Sequence, residues 1–327
     1  MSVHPRRHGA LRRALASPAV DRVLGAALRR LPRRAGSLVV PMFHRTPDRV
    51  LFEAQLDALL DGGTPVSGTD VLAALRAERA LPRGAVWTTF DDAYGDFLEV
   101  AADALERRGV PATMFVSTRF VGSTPADYWW DRLEAAFDST DRDDVFSLDA
   151  PGGALPIDLR SARGRGRAFR TVRERVKATE HAEAMEWVES TIALLGDAPA
   201  PAVRVLDWSE LRSLGARGFE FGGHTHAHPM LDRIPAEDVE GEVERGFEEL
   251  ERELPGALPI LAYPAGQYDE NVRTVVERTR AAAAVTTRQG LFRVDGRAPF
   301  EIPRVPVGPD TAPGIVRARL VAARVMP

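Results

Sequence analysis

Cysteine is absent from the 327 residues, so no disulfide can staple this chain, and a transition metal must be held by His, Asp or Glu rather than by thiolate. Nowhere do about 18 apolar residues follow one another, so no membrane-spanning helix is expected. A secretory leader is not expected either. Arg12, Arg13, Asp21, Arg22, Arg29 and Arg30 break every apolar stretch near the start, which points to the cytoplasm. Net charge is also scarce: 28% of residues are charged, yet they sum to only −4, so nothing global attracts nucleic acid. The exception is local. Residues 1–40 carry nine arginines against the single acid Asp21. Leu11 to Leu31 then reads as a basic amphipathic helix. It is either a solvated leader lying on the domain or a peripheral contact with an anionic membrane surface or partner.

What is present is a core-forming chain, 44% apolar, in which short apolar runs alternate with helical patterns from residue 37 onward. Strands are expected at 37–43, 64–67, 84–90, 111–117, 218–222, 258–264, 282–287 and 301–307. Helices are expected at 50–61, 69–79, 94–109, 207–215, 236–254 and 269–281. Eight short strands with intervening helices suggest an α/β barrel. The rhythm breaks over about 123–204, a charged stretch with an arginine-dense run from Arg160 to Arg175, which reads as a largely helical insertion. The organisation is thus a basic leader over 1–36 and a barrel over 37–327 that carries the insertion.

Two clusters carry chemistry. Asp91 and Asp92 close the apolar run Thr88-Thr89-Phe90, and neighbours on an extended strand point in opposite directions. The two acids are therefore expected to do different work, one holding a cation and the other accepting a proton. A plain N-cap for the following helix is the competing reading. The second cluster, Gly222-Gly223-His224-Thr225-His226-Ala227-His228-Pro229, places three of the seven histidines within five residues. Flanking glycines and proline disfavour a continuous helix there, so the cluster belongs to a loop at a strand end. Histidines in an apolar setting are costly unless hydrogen-bonded or bound to metal. Both clusters, with His44, Tyr263-Pro264 and Arg304, fall at the carboxyl ends of expected strands, which converge at the mouth of a parallel barrel.

These residues resemble the NodB-type polysaccharide deacetylases, carbohydrate esterase family four. The likeness covers roughly 37–122 and 205–308. It rests on Thr89-Phe90-Asp91-Asp92, on His224-Thr225 with His228, on Tyr263-Pro264-Ala265-Gly266, on Ile302-Pro303-Arg304, and on Phe43-His44-Arg45. It implies a distorted (β/α) barrel and a hydrolase that removes N-acetyl groups from a sugar, glycan or glycoconjugate. It further implies Asp91 as general base, Asp92, His224 and His228 as ligands of a divalent metal with zinc as the default, and the Ala265 amide as an oxyanion donor. Tyr263, Pro264, His226 and Trp130 are candidates to bind the substrate, Trp130 from an aromatic run, Tyr128-Trp129-Trp130, that either stacks on sugar or anchors the insertion.

The chain departs from the family pattern at three points. Ala93 stands where a glycine usually follows the paired acids. Ala262 stands where many members place the arginine that partners the base, leaving Arg304 to supply that charge from a neighbouring strand or to form a surface salt bridge. No histidine follows His228, so the protonation of the leaving amine passes to His44, His226 or water. Two other functions stay open: an amidase or deformylase acting on a non-carbohydrate metabolite, and a catalytically weak glycan-binding relative.

Overall fold

Apolar side chains alternate along the strands, and the alternation sorts them onto two faces. Val39, Phe43, Val86, Phe90, Met114 and Val116 pack against Phe52, Leu56, Phe97 and Leu105 of the flanking helices. Val40, Trp87, Phe115, Ile260, Val285 and Ile302 gather on the other face. A computed structural model describes residues 15, 17–31, 35–61, 63–196, 200–294 and 298–325.

The strands that build the barrel are β2 (Pro41–Phe43), β5 (Thr88–Asp91), β6 (Ala112–Val116), β9 (Glu220–Gly223), β10 (Leu258–Ala262), β11 (Ala283–Val285) and β13 (Val305–Pro306). They form one parallel sheet in the order β11-β10-β9-β6-β5-β2-β13. The sheet curls until Ile302, just ahead of β13, bridges Val285 of β11. This is the distorted (β/α) barrel of the deacetylase type, with seven strands rather than eight. The missing strand is β3 (Thr64–Pro65), which joins β1 (Ser37–Val39), β4 (Ala85–Val86) and β12 (Phe292–Arg293) in a second sheet of order β12-β1-β4-β3. Pro65 has no N–H to give a second neighbour, and a two-residue proline-bearing strand belongs at an edge. The runs 37–43 and 84–90 serve both sheets in turn. Their pairing keeps one register throughout, from Leu38 opposite Ala85 to Phe43 opposite Phe90.

Helices flank the barrel, on its outer face and, within the insertion, over its mouth. In chain order they are α1 (Pro18–Arg30), α2 (Arg49–Leu60), α3 (Gly68–Leu75), α4 (Ala102–Arg107, entered through a π-helical turn at Phe97–Ala101), α5 (Trp129–Ser139), α6 (Ala162–Ala178), α7 (His181–Leu195), α8 (Trp208–Ala216), α9 (Ala236–Glu253), α10 (Glu270–Val276) and α11 (Pro313–Val325). The expected helix over 94–109 starts late because Tyr94 bridges Val205 and Asp96 is held by Arg45 and the Thr46 N–H. Within 123–204, α5, α6 and α7 enclose a cluster of Leu133, Phe137, Phe169, Val172 and Trp187. An antiparallel hairpin of β7 (Val145–Leu148) and β8 (Leu155–Asp158) completes this unit, a β element that the helical reading of the stretch lacked. Met230 and Ala265 join the same cluster, so the inserted helices sit on the barrel's mouth.

Of the basic leader, residues 1–14, 16 and 32–34 lie outside the described residues. The described part, α1, packs on α11, with Leu28 buried and Arg317 bonded to both Asp21 and Asp61. No helix among the described residues is long and apolar enough to cross a membrane.

Candidate active site

The alternation that turns Phe90 toward the helices turns Asp91 to the opposite face, where the ring of Phe115 and the guanidinium of Arg304 lie together. Arg304 is fully buried and grips Asp91 with both nitrogens of its fork, Nη1 to Oδ1 at 2.7 Å and Nη2 to Oδ2 at 2.8 Å. Its Nε donates to the carbonyl of Thr286 at 2.8 Å, which fixes the plane of the fork. This is a buried bidentate pair, not a surface salt bridge. Burial pushes the Asp91 carboxyl up, but Arg304, followed by His224 and His44, brings it down to about 2.

Asp92 does not continue the strand. Its φ of 70° swings it out of extended geometry, so the expectation that the two acids face opposite ways fails and both line one cavity. Five of the seven non-glycine residues with positive φ among the described residues, Asp92, Ala93, Thr225, His228 and Ala265, stand at this site. Strain of this kind is held only where surrounding contacts over-determine the backbone. Here the contacts are visible. The Asp92 N–H donates to Phe115 O at 3.1 Å, and Tyr128 donates to Asp92 O at 3.1 Å. His228 N–H donates to Thr225 Oγ1 at 3.0 Å, and Ala227 N–H to Glu242 at 2.8 Å. Gly246 of α9 lets the helix press against this loop: a Cβ there would lie 2.8 Å from the Thr225 carbonyl carbon.

The histidine cluster is a loop after β9, and it divides its side chains. His224 and His228 turn inward, with their Nε2 atoms 3.2 Å apart and 3.5 and 3.6 Å from Asp92 Oδ1. His224 Nδ1 lies 2.7 Å from Ala262 O and donates to it, which leaves Nε2 as the free lone pair. Ligands about 2.0–2.2 Å from a tetrahedral zinc stand roughly 3.3–3.6 Å apart, so the triangle has the right edge lengths. The electrostatics agree. Burial lowers His224 to about 4, and burial together with the repulsion that charging both adjacent rings would bring holds His228 well below its usual range, so both offer neutral imidazole. Burial, then the charges of Asp91 and Asp131, raise Asp92 well above the usual carboxylate range, and Asp92 Oδ1 has no hydrogen-bond partner. A cation at the centre offsets both the repulsion and the orphaned oxygen. The residues present fit a divalent metal.

Around the trio lies a cavity of about 220 Å³. His44, 44% exposed, places Nε2 3.9 Å from both Asp91 and Asp92. Tyr263 and Ala265 line it from the turn after β10, Ala265 in the left-handed region. Trp129 and Trp130 line it from α5. Trp130 also anchors, because its Nε1 donates to Tyr94 OH at 2.8 Å, which in turn donates to Asp131 at 2.6 Å. Two candidates are elsewhere. Pro264 is buried beside the cavity without lining it. His226 faces away: its Nδ1 meets Thr118 at 3.0 Å and Glu249 at 3.1 Å in a separate surface pocket, because alternate side chains of the tight loop exit on opposite sides. Sequence reasoning missed Glu134, Phe169, Arg173 and Lys177, which reach the cavity from the insertion. The four-residue spacing of the last three signals one helix face, but nothing in it says what that face meets.

A family model described as polysaccharide deacetylase matches residues 78–139 and 172–284. The chain belongs to this family. The matched stretches of this polysaccharide deacetylase contain Asp91, Asp92, His224, His228 and Ala265, whereas His44 and Arg304 lie outside them. No curated protein sequence matches it. Among solved structures it is similar to the Streptococcus pyogenes deacetylase PplD in complex with acetate, at 18% identity and a TM-score of 0.56, covering 89% of this chain and 99% of that one. It is also similar to IcaB from Ammonifex degensii, at 19% identity and 0.56 over 87% and 97% of the two chains. The deacetylase domain of BpsB from Bordetella bronchiseptica follows at 14% identity and 0.51, over 84% and 96%. At these identities the likeness is one of fold.

Two outcomes follow from this geometry. Calorimetric titration with zinc should saturate near one equivalent, and His228→Ala should weaken binding by more than about a hundredfold, beyond the effect of losing an outer hydrogen bond; equal affinity would remove His228 from the ligand set. Arg304→Met should cost about 3–5 kcal/mol at pH 7, because it strands a buried carboxylate. In the wild type the Asp91 pKa is lowered, so the pair's stabilisation is complete above its ordinary 3.8 and is lost as pH falls through about 2. In the variant, burial is opposed only by His224 and His44 and should raise that pKa, so stability should instead increase on acidification. Denaturant unfolding between pH 4 and 8 reads the sign.

Proposed function

We propose that this polysaccharide deacetylase is a divalent-metal hydrolase, with zinc as the metal, that removes N-acetyl groups from a sugar or glycoconjugate. The observation that carries the reading is the juxtaposition, on one cavity floor, of a carboxylate locked in its ionised form and a separate trio of two neutral imidazoles and a carboxylate. A two-histidine, one-carboxylate set leaves coordination positions open, as a hydrolytic centre requires.

Asp92, His224 and His228 would hold the metal. When bound, it supplies Lewis acidity that polarises the acyl carbonyl and acidifies the attacking water, which is what lets a carboxylate as weakly basic as Asp91 take the proton. Asp91 stays ionised across neutral pH because Arg304 holds it, and the bidentate grip aims its free lone pairs. The Ala265 amide, presented by a strained turn, is the candidate donor to the oxyanion. His44 is the histidine outside the trio that lines the cavity, and it is the candidate to protonate the leaving amine. Trp129, Trp130 and Tyr263 offer the apolar walls on which a sugar face packs. The proposal includes a cytoplasmic location, which the arginine-broken apolar stretches near the start of the sequence support.

Acetate release by the metal-loaded protein from a panel of N-acetylated sugars tests the reading. Asp91→Asn should keep its metal and lose about 10²–10⁴ in kcat; unchanged turnover per bound metal would give Asp91 another role. His44→Gln should lower kcat about ten-fold or more, roughly 1.4 kcal/mol of barrier, with little change in KM. If kcat stays at the wild-type level across pH 5–9, the proton comes from water or Asp91.

A further inference from the structure

Phe169, Arg173 and Lys177 stand four residues apart on α6, share one face of that helix, and line the cavity. Two cations at this spacing repel each other and weaken the helix that carries them. Little nearby relieves them. Arg173 meets Glu174 at 3.3 Å through Nη2, but its buried Nε has no partner. Lys177 has no ion-pair partner among the described residues, and burial, then Arg173, lower its pKa against the pull of Glu174. The acids on the cavity wall are otherwise engaged. Asp91 belongs to Arg304 and Asp92 to the metal-ligand trio, while exposed Glu134 feels the Arg173 charge from beyond ion-pairing distance. A cation pair beside an aromatic ring, countered only by the exposed Glu174 on Arg173, with one group a planar fork and the other a point charge, is the chemistry that recognises phosphate. The cavity, about 220 Å³, is below the usual size for drug-like ligands, so the anion must sit on or next to the acylated ring.

We propose that the acylated sugar taken by this enzyme carries a phosphoryl group and that Arg173 and Lys177 bind it. The inference rests on the deacetylase reading of the same cavity and narrows it from sugars in general to sugar phosphates, either free phosphomonoesters or phosphodiester-linked carriers.

The test compares acetate release by the zinc-loaded enzyme from N-acetylglucosamine, its 1-phosphate, and the methyl diester of that phosphate. The wild type should prefer a phosphorylated substrate by at least about ten-fold in kcat/KM, as loss of a charge-assisted contact commonly costs. The Arg173→Gln/Lys177→Gln double variant should lose that preference, and Lys177→Arg, which keeps the charge, should retain it. The monoester and diester arms tell a free metabolite from a carrier-linked one. A preference of the same size in wild type and double variant, or none in the wild type, overturns the inference and leaves the deacetylase reading intact. A second measurement does not depend on turnover. N-acetylglucosamine 1-phosphate, titrated into metal-free protein, should perturb the fluorescence of Trp129 and Trp130 saturably, with an affinity at least about ten-fold weaker in the double variant. If no sugar releases acetate but this difference is found, the deacetylase reading fails and the phosphoryl site stands. Equal affinities overturn the site.

Discussion

The buried pair of Asp91 and Arg304 sets the conditions for everything around it. Its members are 213 residues apart, and neither charge tolerates burial without the other. Arg304 leads into β13, the strand that runs beside β2 after Ile302 has met Val285, so the pair forms only when the curled sheet has come round on itself. Its Nε bond to Thr286 fixes the guanidinium and, through it, the carboxylate. Closure of the barrel and positioning of Asp91 are thus one event.

The same pair separates the two adjacent acids. With Asp91 engaged by an arginine, Asp92 is left without a partner for Oδ1 and is turned by its positive φ toward the two imidazoles. The left-handed residues at Asp92, Ala93, Thr225, His228 and Ala265 are the backbone counterpart of this division. Each lies in a turn that leaves a parallel strand, where the chain must bend sharply to aim a side chain into the mouth. Parallel neighbours hold the strand ends, and a hydrogen bond from Tyr128 together with bonds accepted by Thr225 and Glu242 holds the turns, so the strain stays where chemistry can use it.

The barrel and the inserted helices divide the cavity between them. Strand ends provide the reactive floor, and α5 and α6 provide aromatic and cationic walls. A fold shared at 14–19% identity with other deacetylases cannot by itself set the substrate. The family match is interrupted over 140–171, within the insertion, while the cationic face of α6 begins just beyond it.

The sequence by itself determined the elements and the chemistry that short spacings encode. Short apolar runs between helical patterns placed the parallel strands, glycines and a proline made the histidine cluster a loop, and the absence of cysteine left His, Asp and Glu as the available ligands. Tertiary structure decided what depends on contacts between distant residues or on backbone bends that no local pattern marks. Eight strands became seven because Pro65 belongs at an edge, and Asp92 came to face the same way as Asp91 because its φ left the strand. His226 went to the far side of its own loop, and Arg304 became a buried partner instead of a surface charge. The wall of Phe169, Arg173 and Lys177 was present as a four-residue spacing, yet only docking of the insertion turned that face onto the site. Spacing fixes which side chains share a face, and burial between elements far apart in the chain fixes what that face meets.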